Sequence, residues 1–151
     1  MLSNYYLSLR QFYRLPMNQT KKLYLALVDD DPDEEDFFQI ALDVLGIDCQ
    51  FQFFSKAHDF VSYIEKEETI LPDIVFVDMN MPEINGQELV RMIRQNEKYN
   101  GIQAVIYTAH ISDREKEIMM AMGTLEFFIK PTEFSDLTIM LKEMIERKSL
   151  T

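Results

Sequence analysis

Acidic residues are concentrated in one short stretch of the chain, LALVDDDPDEED, residues 25–36. An apolar run is followed there by eight residues of which seven are acidic, beginning with Asp29, Asp30 and Asp31. Carboxylates a few ångströms apart repel one another unless a cation lies among them. Carboxylate, carbonyl and water oxygens are the ligands that Mg²⁺ prefers. The start of this stretch therefore suggests a divalent cation site.

Three other groups with useful chemistry also follow apolar runs: the Asp78 carboxylate, the Thr108 hydroxyl and the Lys130 ammonium. Beside a metal ion, a carboxylate can attack phosphorus and form an aspartyl phosphate. The phosphoryl oxygens are then stabilised by the metal, an ammonium and a hydroxyl. These residue types indicate phosphoryl-transfer chemistry if the fold brings them together.

Short apolar runs rich in β-branched and aromatic residues alternate with segments of helical period. The runs predict strands over residues 23–28, 49–54, 74–77, 104–107 and 126–129. The periodic segments predict helices over residues 33–45, 56–67, 87–96, 112–122 and 134–147. This alternation is typical of an α/β fold with a doubly wound parallel sheet. Every strand-to-helix loop would emerge at the carboxyl edge of that sheet, where ligands bind.

The ends of the helices carry their own signals. Asp31 before Pro32 predicts a helix cap followed by the first helical residue, and the acids of residues 33–36 suit the positive end of the helix dipole. Gly46 predicts a left-handed cap, and Ser112 with Glu115 has the spacing of a capping box. We expect the first helix to bury one apolar face, made of Phe37, Ile40, Ala41, Val44 and Leu45.

Composition limits the classes of function. The chain has 151 residues and a net charge of −11, which argues against a direct nucleic acid ligand because phosphate binding needs Lys and Arg. The single cysteine, Cys49, excludes a disulfide framework. No apolar segment is long enough to cross a membrane. We therefore expect a cytoplasmic protein.

Charge also divides the chain. Residues 1–16 contain Arg10, Arg14 and no acid, whereas residues 17–151 carry a net charge of −13. Residues 1–20 are interpreted as an N-terminal extension, either an upstream-start artefact or an appended arm. Residues 21–151 would form one domain, and we expect no output domain after it.

Four motifs carry a family resemblance: LVDDDP, PDIVFVDMNMPEINGQEL, VIYTAH and FFIKP. In this order, each at the end of its own strand, they resemble the receiver domain of two-component response regulators over roughly residues 21–147. The length is similar to single-domain members, some of which serve phytochrome-type sensor kinases. The resemblance implies a flavodoxin-like fold with five helices and strand order 2-1-3-4-5.

The resemblance also implies roles for individual residues. Asp78 would be the phosphoacceptor, and Mg²⁺ would be bound by Asp29, Asp30, Asp78 and the backbone carbonyl of Asn80. Lys130 would pair with Asp78 and the phosphoryl group.

Further implied roles concern the switch and the loops. Thr108 would move to bind a phosphoryl oxygen, and Phe127 would change rotamer with it. Gly86 and Pro131 would shape the adjoining loops, with Pro131 following Lys130 through a cis bond.

The function implied is phosphoryl acceptance from a histidine kinase or histidine phosphotransfer protein, without turnover of an external substrate. A target protein would bind the surface formed by helix four, strand five and helix five, and a homodimer is left open. One alternative is a pseudo-receiver that binds a partner constitutively. Another is a Mg²⁺-dependent aspartyl phosphatase, which would want a second carboxylate where Asn80 stands.

Several residues have a simpler interpretation. A calcium-binding EF-hand loop starting at Asp29 is a poor fit, because it would need Gly at position 34 and Glu at position 40, where this chain has Glu34 and Ile40. His58 and His110 are interpreted as surface residues. The methionines of the fourth helix, Met119, Met120 and Met122, are interpreted as core, with a partner surface as the alternative.

Overall fold

The computed structural model describes residues 21–124 and 126–149, so the proposed extension over residues 1–20 lies outside the described part. Five parallel strands form one sheet: β1 (Leu23–Val28), β2 (Cys49–Phe54), β3 (Ile74–Val77), β4 (Gln103–Thr108) and β5 (Glu126–Ile129). Their order is β2-β1-β3-β4-β5. The predicted sheet is confirmed, and only β4 is longer than expected, by one residue at each end.

Helices connect the strands and cover both faces of the sheet. They are α1 (Pro32–Leu45), α2 (Ala57–Glu65), α3 (Gly86–Arg94), α4 (Asp113–Ala121) and α5 (Phe134–Ser149), with a short 3₁₀ helix over Glu97–Tyr99. Helices α1 and α5 pack on one side, called here the α1/α5 face. Helices α2, α3 and α4 pack on the other, the α2/α3/α4 face. The predicted helices are confirmed, with differences of up to two residues at their ends.

The predicted caps are present. The Asp31 side chain accepts a hydrogen bond from the Asp33 N–H at 3.0 Å, Pro32 follows at the first helical position, and α1 ends at Gly46 with φ 63°. At α4, Ser112 and Glu115 each accept a hydrogen bond from the other's backbone N–H. These caps satisfy backbone groups that the ends of a helix leave without partners.

The predicted buried face of α1 is wrong in part. Phe37, Ile40 and Val44 are 48%, 50% and 67% exposed, while Phe38, Ala41 and Leu42 are buried. The helix is apolar on two sides, and Phe38 decides which side faces the sheet. Its ring packs against three aromatic rings, those of Phe51, Phe76 and Tyr107. This rotation of α1 also turns Glu34 inward.

Side chains alternate between the two faces along each strand, as the pleat requires. On β4, Tyr107 joins the α1/α5 core, whereas Ile106 joins the α2/α3/α4 core. Thr108, one residue after Tyr107, therefore points to the α2/α3/α4 side. Within the described residues, no helix has the length and apolar character needed to span a membrane.

Candidate functional site

Backbone hydrogen bonds fix the residues that follow the strands at the carboxyl edge of the sheet. Asp78 N donates to Val28 O at 3.0 Å, and Lys130 N donates to Thr108 O at 2.8 Å. Asp29 N donates likewise to Phe54 O on β2, at 3.1 Å. The strand pairing thus continues one residue beyond each strand. The predicted groups converge on one edge because their backbones are part of the sheet.

Three carboxylates form a cluster at this edge. Asp29, Asp30 and Asp78 each offer one oxygen, and these three oxygens all lie within 4.8 Å of one another. Asp29 is fully buried and Asp78 is 5% exposed, whereas Asp30 is exposed. Burial raises the pKa of Asp29 to about 6, although the Lys130 ammonium and the Asp31 N–H oppose the shift. An all-oxygen donor set with one side open to water fits Mg²⁺.

Asp78 is held mainly through Oδ1. The Thr108 hydroxyl, fully buried, donates to this oxygen at 2.8 Å, and the Asn80 N–H donates to it at 3.3 Å. The Asn80 side-chain amide lies 3.5 Å from the Thr108 hydroxyl oxygen. Thr108 therefore already points at the acceptor carboxylate. The role of the Asn80 carbonyl as a metal ligand stays a prediction.

Lys130 is closest to a different carboxylate from the one expected. Its Nζ lies 2.6 Å from Asp29 Oδ2 and 3.7 Å from Asp78 Oδ2. Burial disfavours the charged form of Lys130, but the hydrogen bond and charge of Asp29 outweigh it and leave the pKa of the ammonium raised. The group stays positively charged at neutral pH, in reach of both carboxylates.

Glu34 joins the site, which the sequence interpretation missed. Its place in the first turn of α1 predicts an acid at a helix start, but it is only 9% exposed. Its Oε1 lies 3.6 Å from Lys130 Nζ, and its Oε2 accepts a hydrogen bond from the Tyr107 hydroxyl at 3.3 Å. Burial raises the pKa of Glu34, with Lys130 opposing. The available signal was spacing, since Glu34 precedes the buried Phe38 and Ala41 by four and seven residues.

The loop after Asp78 is packed tightly against the backbone. A Cβ on Gly86 would collide with the Asp78 carbonyl oxygen and would lie 2.8 Å from Met79 Cα. The side chains of Met79 and Met81 are buried in the α2/α3/α4 core. Next to Gly86, Asn85 caps α3 by accepting a hydrogen bond from the Glu88 N–H. The absence of a side chain at Gly86 is what allows this loop to lie against Asp78.

The expected cis bond before Pro131 is wrong. No cis peptide bond occurs between the residues that the structure describes, which include Lys130 and Pro131. The trans form is the ordinary preference of such a bond, and Lys130 N makes its strand hydrogen bond in this arrangement. Pro131 itself is partly buried.

The remaining predicted positions are distributed between core and surface. Phe127 is partly buried and packs against the α2/α3/α4 core, aligned with Ile106 in the sheet. His58 and His110 are exposed. Met119 is buried and Met122 packs against the core, whereas Met120 is 54% exposed. The core interpretation of these methionines therefore holds for two of the three.

Comparison with known proteins finds a relative whose sequence matches most of this chain. Hybrid signal transduction histidine kinase D from Dictyostelium discoideum is 26% identical over 139 residues, 92% of this chain. The chain spans only 9% of that kinase's length. The match therefore concerns one segment of a much larger protein.

Solved structures with the same fold include two response regulators. The phosphorylated cyanobacterial phytochrome response regulator RcpA is similar with a TM-score of 0.74 and 19% identity, covering 83% of this chain and 92% of that one. The Mn²⁺-bound form of response regulator Rcp1 is similar with a TM-score of 0.71 and 20% identity, covering 81% and 91%. At these identities the likeness concerns the fold.

The family follows from the sequence itself. Residues 25–142 match the family model of the response regulator receiver domain, which covers more than half of the chain. The matched range includes strands β2 to β5 in full, β1 from Leu25 onwards, and the whole acidic edge. The chain belongs to the response regulator receiver domain family.

Proposed function

We propose that Asp78 accepts a phosphoryl group in a reaction that requires Mg²⁺. Receiver domains receive phosphoryl groups from histidine kinases or phosphotransfer proteins. One observation carries the proposal for this chain: the Thr108 hydroxyl and the Lys130 ammonium lie 2.8 and 3.7 Å from the two oxygens of Asp78. The donors needed by a phosphoryl group already surround the proposed acceptor.

The proposed reaction exchanges one bond to phosphorus for another. A carboxylate oxygen of Asp78 forms the new P–O bond, and the P–N bond to the donor histidine breaks. The bonding electrons leave with the imidazole. Asp78 is the acceptor without a base because the reacting form of its side chain is the carboxylate.

The acidic cluster would hold the metal. Receiver domains bind Mg²⁺ at an acidic pocket, and Asp29, Asp30 and Asp78 supply three oxygens here, with the Asn80 carbonyl as the proposed fourth protein ligand. When bound, Mg²⁺ supplies positive charge that offsets the repulsion between these carboxylates and the phosphoryl oxygens. Lys130 and Thr108 then bind the remaining oxygens by charge and hydrogen bonding.

Phosphorylation would switch a protein-binding surface formed by α4, β5 and α5. Thr108 is the last residue of β4 and is aligned with Ile129 of β5. Movement of its side chain would therefore shift the neighbouring edge strand, β5. Phe127 on the same strand lies against the core at the α2/α3/α4 face. We propose that these two residues couple the acceptor to the surface, and that a separate protein binds there.

The alternatives lack a supporting feature. A constitutive pseudo-receiver has no need of Asp78, Thr108 and Lys130 at one edge. An aspartyl phosphatase needs an acid two residues after the nucleophile, and the side chain there is the amide of Asn80. An amide cannot transfer the proton that such turnover requires, which favours self-phosphorylation without an external substrate.

The test is phosphorylation by a small phosphodonor, followed by intact mass and amide NMR spectra with and without Mg²⁺. We expect wild-type protein to gain one phosphoryl group in Mg²⁺, and Asp78→Asn to gain none. Asp59→Asn is the matched control, because it replaces an exposed aspartate on α2 and should react like wild type.

Two results would contradict the proposal. If wild type binds Mg²⁺ but neither gains a phosphoryl group nor changes its spectrum, the pseudo-receiver is favoured. Continuous release of phosphate from an added phosphoester would favour the phosphatase.

A further inference from the structure

The Lys130 ammonium is shared by carboxylates from three different elements. Besides Asp29 at 2.6 Å, Glu34 on α1 and Asp78 after β3 lie at nearly equal distances of 3.6 and 3.7 Å. The ammonium also lies 5.8 Å from the centre of the Tyr107 ring. The resting position of Lys130 is therefore a balance in which Asp78 is one of several partners.

The start of α1 does not explain why Glu34 is buried. Asp31 already caps α1, and the exposed acids Asp33 and Glu35 lie in the same first turn. A buried carboxylate costs free energy unless it is paired and hydrogen-bonded. Within the described residues, the cation at ion-pair distance from Glu34 is Lys130, and its hydrogen-bond donor is Tyr107.

Glu34 would compete with a phosphoryl group on Asp78 for the Lys130 ammonium. A phosphoryl group on Asp78 needs the Lys130 ammonium as a partner, whereas Glu34 attracts the same ammonium. The Glu34 carboxylate would also repel the phosphoryl dianion, since both carry negative charge beside the same ammonium. Both effects favour the unphosphorylated state over the phosphorylated one.

We propose that Glu34 is a positioning residue that holds Lys130 partly away from Asp78 and so weakens the phosphorylated state. The inference rests on the proposed function, since it assigns a regulating residue to the same site. Tyr107 limits the effect, because its hydroxyl binds the other oxygen of Glu34 and draws the carboxylate away from the ammonium.

The test is a titration with beryllofluoride, a mimic of the phosphoryl group, followed by amide NMR at saturating Mg²⁺ for each variant. We expect Glu34→Gln to bind beryllofluoride roughly fivefold more tightly than wild type, a modest change because Lys130 keeps Asp29 as its nearest partner. Glu34→Asp, which keeps the charge, should stay within about twofold of wild type. Glu35→Gln is the matched control, because it removes the same charge from an exposed neighbour.

The sign of the change separates positioning from structural support. A residue that only supported the site would, on replacement, loosen it and weaken binding. Unchanged or weaker binding by Glu34→Gln, or an equal gain in Glu35→Gln, would overturn the inference. If wild type itself does not respond to beryllofluoride in Mg²⁺, the proposed function fails, which is a different result.

A second variant keeps the test decisive if Glu34→Gln does not fold. Tyr107→Phe keeps the ring and removes the hydroxyl that holds Glu34 Oε2. The freed carboxylate should approach Lys130, and we expect beryllofluoride binding to weaken by roughly twofold. Tighter or unchanged binding in this variant would count against the inference.

Discussion

The two faces of the sheet carry different side chains next to the acidic edge. The α1/α5 face carries an aromatic cluster in which the ring of Phe38 contacts those of Phe51, Phe76 and Tyr107. The α2/α3/α4 face is aliphatic along β3 and β4, with aromatic contacts of Phe54 to Phe60 and Tyr63 on β2 and α2, and the buried Met79 and Met81 of the loop after β3 belong to it. At this edge, the α1/α5 face presents the Tyr107 hydroxyl, which binds Glu34, and the α2/α3/α4 face presents the loop that follows Asp78.

This difference divides the site into two tasks. Tyr107 and Thr108 are neighbours on β4, but they point to opposite faces. Through Tyr107 and Glu34, the α1/α5 face determines the surroundings of the Lys130 ammonium. Through Thr108, the α2/α3/α4 face positions the acceptor carboxylate. Substitutions matched across the two faces should therefore affect different properties.

The largest expected effect is the loss of the aromatic cluster. Phe38→Ala removes a fully buried ring and should lower the free energy of unfolding by about 3–5 kcal/mol. Phe37→Ala, one residue earlier and 48% exposed, should lower it by less than about 1 kcal/mol. Urea denaturation of both variants measures the difference. Equal losses would mean that α1 faces the sheet differently.

The next effect concerns the loop on the α2/α3/α4 face. Gly86→Ala places a methyl group against the Asp78 carbonyl, so the loop must move away from the acceptor. We expect a loss of stability of about 3 kcal/mol and slower phosphorylation of Asp78. Gly101→Ala is the control, because a Cβ there meets no atom within 4 Å. Denaturation and phosphodonor kinetics on both variants would show whether the close approach matters.

The success of the sequence prediction differs between these features. Buried parallel strands are continuous apolar runs, so their bounds could be predicted almost residue by residue. Their order then places Asp29, Asp78, Thr108 and Lys130 at one edge. The orientation of α1 could not be predicted, since both sides of the helix are apolar and the choice depends on how Phe38 fits among rings from distant strands. The same error hid Glu34.

The carboxylate nearest to Lys130 could not be predicted from the sequence either. Spacing fixes where the backbone of a residue enters the site, but a long side chain can reach several carboxylates. In the structure, Asp29 is closer to the ammonium than Asp78 is. Which carboxylate is nearest depends on burial and on the rotamer of Lys130, and neither is encoded in a motif.

A smaller effect is expected from the buried charge of Asp29. Without metal, the pKa of Asp29 is raised from 3.8 to about 6 by burial, so the folded state binds this proton more tightly than the unfolded state. The charged carboxylate therefore destabilises the protein above about pH 6, and this cost disappears as the pH falls towards 4. At pH 7 in EDTA, Asp29→Asn should be more stable than wild type by about 2 kcal/mol.

The pH dependence and a metal titration check this prediction. The difference between wild type and Asp29→Asn should shrink as the pH is lowered from 7 to about 4. Saturating Mg²⁺ should stabilise wild type more than the variant, because the variant lacks one carboxylate of the cluster. Asp36→Asn, an exposed acid on α1, should show neither behaviour. A stability gap that stayed constant with pH would show that Asp29 ionises normally.

The smallest effect is the sharpest test of the division between the faces, because it compares two adjacent residues. Thr108→Val keeps the shape but removes the hydroxyl that donates to Asp78 Oδ1, and we expect beryllofluoride binding to weaken roughly tenfold, the effect of one hydrogen bond to a charged group. Tyr107→Phe should weaken it only about twofold, because its hydroxyl acts on Glu34 and reaches the acceptor only through Lys130. If the two losses were additive in the double variant, the faces would act independently on the acceptor. A double variant no weaker than Thr108→Val alone would instead mean that the position of Lys130 matters only while Thr108 binds the phosphoryl group.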